Sequence, residues 1–369
     1  MSSDRGPVIY GLESQGRALT ARTLTARAGE TDNIQFLVGT QSLKHENQVH
    51  LLEYSEDNGV LDKTVYTHAP GEIWDLSSCP YDAGLVATVY GCVVEGRVLS
   101  KASLWRLGKE DEEGPLEHVA HLELGERNVR CTAWHPGCSP QLVAVDDSNV
   151  SLIKLTESSA KVVSSVELGD KGRSCYSCLC WNPHGHSNQL LLSMDATIKT
   201  WDLRTANKLS LCVEGPHGPC VRGMDFNPNK PHYFSSCGDD CTVKFWDSRH
   251  LGSPLATRQD HSHWVWTVQY NLFHDQLVLS GSSDSRVVLT RMASIASEPL
   301  HALDDEDDPA ERLPVLKDEV IARYEEHEDS VYRCVWSVAD AWVFASLSFD
   351  GRVVINHVPS QEKFSILTS

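Results

Sequence analysis

An aspartate, an aliphatic residue three positions on and, in the clearest copies, a tryptophan at six recur through this chain at a nearly fixed interval. Asp195, Ile198 and Trp201 make one copy, and Asp240, Val243 and Trp246 another. Asp147 with Val150, Asp284 with Val287 and Asp350 with Val353 keep the first half, while Thr290 and Asn356 take the tryptophan position in the last two. Successive aspartates lie 48, 45, 44 and 66 residues apart, the long interval containing an insertion. A period in the mid-forties is the length of one four-stranded blade, so the pattern predicts an all-β propeller.

A second alignment counts the blades. Val221, Met224 and Phe226 stand at the first, fourth and sixth positions of a short strand that ends at Pro228. Similar strands start at Ile73, Val129, Tyr176, Val265 and Val331, and Ile9, Leu12 and Ser14 give a weaker copy. Seven copies predict a seven-bladed β-propeller in one domain over 1–369, with blades beginning near 8, 72, 128, 175, 220, 264 and 330. Apolar runs at 36–39, 85–89, 142–145, 190–193, 233–236, 277–280 and 343–346 supply the second strands. Asn58-Gly59 signals a two-residue hairpin. No segment sustains a 3.6-residue apolar period, so little helix is expected. Because blade one starts with its own inner strand in this reading, residues 363–367 are expected to close the ring as its last outer strand. Residues 16–31, rich in Arg, Thr and Ala, fit no element.

Charge and cysteine usage narrow the partners. With 32 basic against 51 acidic residues the net charge is −19, the wrong sign for a nucleic acid or an anionic membrane surface. The start of the chain lacks a signal-length apolar core, and no run approaches membrane-spanning length, so a cytoplasmic protein without membrane insertion is expected. The 12 cysteines then read as reduced thiols, and the Asn149-Val-Ser151 sequon as unused. Cys175, Cys178 and Cys180 cluster without the second ligand pair that a zinc site needs. His45 and His50 flank a Glu but stand five apart instead of four, so they would not share a helix face. Dinucleotide, phosphate-loop and nucleophile-elbow motifs are absent, and neither catalysis, cofactor nor metal is predicted. Two acidic stretches, 109–113 and 304–308, read as solvated loops, the second within an acidic loop over about 297–319 that is expected to be disordered.

The Trp-Asp endings at 201–202 and 246–247 resemble those of WD repeats. That resemblance implies that His217, Ser236, Asp240 and Trp246 form a buried hydrogen-bonded tetrad. A buried indole N–H needs an acceptor, which a Ser–His–Asp relay provides. The same types recur as His261, Ser280 and Asp284 and as His327, Ser346 and Asp350. Repetition in three blades argues for structure over hydrolysis. The second position of each inner strand lies beside the top-face loops and need not fill the core. Around the ring it reads Tyr10, Trp74, Arg130, Ser177, Arg222, Trp266 and Tyr332. Aromatic residues and arginine dominate interface centres, which makes this ring the candidate partner-binding surface.

The wording of the repeats is more specific than their period. The segments beginning Pro7-Val-Ile-Tyr, Phe36-Leu-Val-Gly, Asp225-Phe-Asn-Pro, Ser236-Cys-Gly-Asp, His261-Ser-His-Trp, Gly281-Ser-Ser-Asp and Tyr324-Glu-Glu-His resemble the family of WD-repeat proteins that interact with the EARP and GARP tethering complexes. The likeness covers nearly the whole chain, most closely from Val221 onward and least from 92 to 189. It implies a non-enzymatic adaptor, monomeric within a larger assembly and held at endosomes and the trans-Golgi network through its partners. It further implies roles in recycling, retrograde traffic and dense-core vesicle maturation. An alternative is a substrate receptor of a cullin-based ubiquitin ligase. Trp201, Asp202 and Arg204, and Trp246, Asp247 and Arg249, match the Trp-Asp-x-Arg motif of such receptors, although Trp-Asp already belongs to the repeat. A phosphoinositide-binding propeller would carry a paired-arginine motif that this chain lacks.

Overall fold

The structure, a computed structural model, describes residues 6–14, 17–108, 113–137, 139–156, 159–168, 177–204, 209–297 and 317–368. Seven sheets form the blades of a closed ring, antiparallel except where the short strand Gly114–Pro115 adds in parallel to the outer edge of blade one. Their inner strands are Ala21–Ala26, Ile73–Ser78, Val129–Trp134, Ser177–Trp181, Val221–Phe226, Val265–Tyr270 and Val331–Trp336. Each packs against the next, and the last against the first. Second strands such as Ile34–Thr40, Leu277–Ser282 and Val343–Ser348 are buried along their whole length, because neighbouring blades cover both of their faces. That double burial is why they read as unbroken apolar runs. The core is shared between blades: Ala87 and Val89 of the second join Leu142 and Ala144 of the third in one cluster. No blade covers its own apolar surface.

Ring closure runs opposite to the expectation. The terminal strand Val8–Gly11 pairs antiparallel with Arg352–His357 and completes the seventh blade, with Val8 opposite Ile355 and Gly11 opposite Arg352. Residues 363–367 lie instead in the helix Ser360–Thr368. Pro359 opens that helix, its carbonyl accepting from Glu362 N–H at 2.9 Å and Lys363 N–H at 3.1 Å. The helix is pinned by the buried Ile366 and by Glu362, whose two oxygens each lie 2.9 Å from Arg291 Nη1. Blade one therefore does not begin near residue 8. Its inner strand is Ala21–Ala26, paired with Ile34–Thr40, so most of the unassigned stretch 16–31 is the missing strand and its exit turn.

The Asn58-Gly59 connection is also longer than expected. Ser55 pairs with Val60, leaving a four-residue turn, 56–59. Gly59 takes φ 65° there and donates its N–H to the Ser55 carbonyl at 2.9 Å.

Connections from outer to inner strands and from second to third strands open on one face, the upper face. The first-to-second and third-to-fourth connections open on the lower face. The C-terminal helix, which follows the third strand of blade seven, belongs to the lower face by chain direction. Residues 304–308 and 109–112 lie outside the described residues, as do Cys175 and Tyr176. No helix among the described residues is long and apolar enough to cross a membrane.

Candidate functional site

A β-bulge builds the mouth of the ring. In six blades the ladder between inner and second strand shifts register at the second inner position, between Ala21 and Thr23, Ile73 and Asp75, Val129 and Cys131, Val221 and Gly223, Val265 and Thr267, and Val331 and Arg333. The extra residue is unpaired and its side chain is re-aimed. The bulged residues are Arg22, Trp74, Arg130, Arg222, Trp266 and Tyr332. Blade four has no such shift, and the side chain of Ser177 is outside the described residues.

Arg22, Trp74, Arg130, Trp266, Tyr332 and Arg333 line a cavity of about 210 Å³ at this mouth. The Arg22 guanidinium sits over three rings, 4.5 Å from the centroid of Tyr332, 5.5 Å from Trp266 and 5.9 Å from Trp74. Trp266 and Tyr332 meet edge to face at 4.6 Å. Arg222 lies 3.9 Å over Trp266 and 4.6 Å over Trp264. Trp74, Trp264 and Phe349 are 43%, 42% and 37% exposed.

The arginines differ in their partners. Arg130 pairs with Asp147 at 2.6 Å and Arg222 pairs with Asp239. Arg333 faces Asp75 at 3.9 Å, and the same carboxylate accepts the Thr132 N–H at 2.8 Å. Burial raises the Asp75 pKa, against the pull of Arg333. Arg22 makes no ion pair among the described residues.

Two members of the expected ring sit differently. Tyr10 belongs to the closing strand at the outer edge of blade seven and does not reach the mouth. Its hydroxyl is 3.0 Å from His50 Nδ1, and Lys63 lies 5.6 Å from the ring. Burial, with Glu13 and Glu113, pushes its pKa up to about 12. Arg22 holds the bulge position that Tyr10 was expected to fill. Trp266 is only 8% exposed and donates its indole N–H to Ser283 Oγ at 2.6 Å. It is a wall of the mouth, packed between blades, whereas Trp74 is its open rim.

The tetrad residues meet in blade five. Trp246 donates its indole N–H to Ser236 Oγ at 2.9 Å, Ser236 Oγ lies 2.7 Å from His217 Nε2, and His217 Nδ1 lies 2.8 Å from Asp240. With Ser236 accepting from the indole, its own hydrogen serves Nε2, and Nδ1–H faces the carboxylate. Burial lowers the His217 pKa despite Asp240. Burial works to raise Asp240, but hydrogen bonds from His217 and Lys244 overcome it and hold the carboxyl well below its usual range. Gly238 guards the site: a Cβ there would lie 2.2 Å from the Cys220 carbonyl and 2.5 Å from His217 Cβ.

Variants of this relay occupy other blades. His261 bridges Ser280 at 2.9 Å and Asp284 at 3.0 Å. His327 bridges Ser346 at 2.7 Å and Ser348 at 2.8 Å, and Ser348 in turn donates to Asp350. Blade two holds a relay that the sequence reading missed. Trp105 donates to Thr88 Oγ1 at 2.8 Å, and His68 contacts Thr88 at 3.1 Å and the Gly71 carbonyl at 3.1 Å. Thr replaces Ser and a carbonyl replaces the Asp, so only a His followed twenty residues later by a hydroxyl could have revealed it. The imidazoles and hydroxyls of these relays are spent on tying strands to loops.

The Trp-Asp-x-Arg motifs lie on the lower face. Arg204 folds onto its own Asp202 at 3.0 and 2.7 Å, and Arg249 onto Asp247 at 2.9 and 2.6 Å. Trp201 is fully buried in the core between blades three and four. Each motif arginine thus has a local role in closing its turn. No metal-binding cluster occurs among the described residues.

Comparison with known proteins adds identity to this geometry. The family model described as EIPR1 beta-propeller matches residues 5–290, and that of the WD domain, G-beta repeat, matches 318–355. The chain is 47% identical over 389 residues to EARP and GARP complex-interacting protein 1 of Rattus norvegicus and 46% identical over 390 residues to that of Homo sapiens, covering 99% of both chains in each case. It is 32% identical over 371 residues to EARP-interacting protein 1 of Caenorhabditis elegans, covering 98% of both. The fold is a seven-bladed ring and the family model spans more than half of the chain, so this chain belongs to the EIPR1 β-propeller family.

Proposed function

We propose that this protein is a non-enzymatic adaptor that binds the EARP and GARP tethering complexes through the upper mouth of its propeller. Acting with them, it supports endosomal recycling, endosome-to-Golgi retrograde traffic and dense-core vesicle maturation from the cytoplasmic side of endosomes and the trans-Golgi network. The observation that carries this reading is end-to-end similarity to relatives named for those complexes, at 46–47% identity over 99% of both chains. The mouth supports it chemically, because aromatic residues and arginines around a concavity supply most of the binding energy at protein interfaces. The buried relays support the non-enzymatic part, since their Ser, His and Asp groups already satisfy one another inside the blades.

Affinity purification of the tagged full-length chain tests the reading. Tethering-complex subunits should co-purify. Recovery of a cullin and its propeller adaptor in their place would overturn it in favour of the ligase-receptor alternative, which the Arg204 and Arg249 pairings to their own aspartates disfavour.

A further inference from the structure

The arginines at the mouth do more than hold the walls together. Arg130 and Arg333 each face a carboxylate, Asp147 and Asp75, while Arg22 makes no ion pair among the described residues. The cavity wall thus carries one cation more than its facing anions, on a chain whose net charge is −19. A guanidinium has five N–H donors and Arg130 spends two of them on Asp147, so it can add hydrogen bonds to an anion seated beside Arg22. Three aromatic rings lie within 6 Å of the Arg22 guanidinium, the buried Trp266 among them, and they exclude water from part of its surroundings, which strengthens an ion pair formed there.

We propose that this mouth is a seat for a single carboxylate, the Asp or Glu side chain of an acidic segment in a protein partner, with Arg22 as its ion-pair partner. This rests on the adaptor reading and specifies what the partner presents. One excess positive charge matches a monoanionic carboxylate better than a phosphate dianion, and the acidity of the whole chain works against lipid headgroups and nucleic acid. A free small acid would fill the cavity but leave Trp264 and Phe349 uncovered on the face around it. Both are exposed beyond the cavity lining, where flanking residues of a peptide would cover them.

The test compares wild type, R22E, R22Q and R22K in the full-length chain, with R204E on the lower face as control. Capture of tethering subunits from cell extract should fall at least about tenfold for R22E and R22Q, less for R22K, and not at all for R204E, as expected for loss of a desolvated charge partner. R22Q, which adds no charge, should melt like wild type, so a folding defect confined to R22E would not obscure the result. In parallel, acetylated pentaglutamate and pentaglutamine are titrated against the purified chain, read by the change in its intrinsic tryptophan fluorescence, to which Trp74 and Trp264 beside the cavity contribute. A saturable response to pentaglutamate alone, weakened at least tenfold in R22Q, is expected. Wild-type capture by folded R22E and R22Q overturns the carboxylate seat and leaves the adaptor reading standing. If wild type captures no tethering subunit, the adaptor reading fails and the titration decides the seat: a pentaglutamate response lost in R22Q sustains it, and none in wild type overturns it.

Discussion

Trp246 shows at the scale of one residue how strongly a buried polar group constrains its surroundings. Its ring stacks at 6.3 Å on Phe234 and its N–H enters the Ser236–His217–Asp240 relay. Trp246→Ala should cost roughly 3–5 kcal/mol, combining the lost side chain with a stranded serine and histidine. A wild-type melting temperature for that variant would contradict the relay. The relays also predict an acid sensitivity. Burial lowers the pKa of His68 and His327 from 6.5 to about 4. Between those values the unfolded chain binds more protons, so stability is full above pH 6.5 and declines as pH falls toward 4. Each histidine contributes on the order of 3 kcal/mol across that window. Asp225, raised to about 7 by burial, has the opposite sign, because the fold retains its proton. Asp225→Asn should therefore make the fall in thermal midpoint from pH 7 to pH 5 steeper than in wild type, and a flatter profile would sink this assignment. The blade-five relay was legible because all four residue types fall at repeat positions. The blade-two relay was not, because Thr88 and the Gly71 carbonyl perform the same bonding with different chemistry.

At the scale of the strand, most of the ring was legible and its closure was not. Inner strands after the first carry bulky residues at positions one, four or six, which mark burial between blades. Ala21–Ala26 offers only Leu24 among large apolar residues, so Ile9 and Leu12 outcompeted it. Spacing held the correcting signal: Ile73 lies 52 residues after Ala21 but 64 after Ile9, and the shorter interval is nearer the repeat. That single shift in blade one also moved Tyr10 out of the mouth and brought Arg22 in. The aromatic and basic character of the bulge position was readable, whereas the sideways aim that buries Trp266 depends on the local ladder. Removing residues 1–11 should expose the edge of Arg352–His357 and lower the melting temperature more than removing 359–369, which takes away only the C-terminal helix. Equal losses, read by thermal unfolding, would argue against closure by Val8–Gly11. Deleting 304–311 should leave folding and tether capture unchanged, since loop length affects stability slowly. Retained folding with lost capture would move the interface to that segment.

At the scale of the whole molecule, a net charge of −19 surrounds a mouth with one cation in excess, and the two act over different distances. An acidic partner segment is repelled by the chain's overall field on approach and attracted only once it enters the cavity. Salt reaches the first effect most easily: the Debye length shrinks from about 10 Å at 0.1 M to about 3 Å at 1 M. The second acts at contact, between aromatic walls, and is screened less. Raising salt should therefore speed association with immobilised tethering complex while also speeding dissociation modestly, a combination that a basic partner steered by the acidic surface would not produce. The R22Q variant should keep the salt-dependent rise in association rate, which the remote charges set, and show a faster dissociation rate at every salt concentration. Biosensor kinetics from 0.05 to 0.5 M salt would show both effects. Association that slows with salt in wild type would place the contact on the acidic exterior of the ring and leave the mouth without a partner.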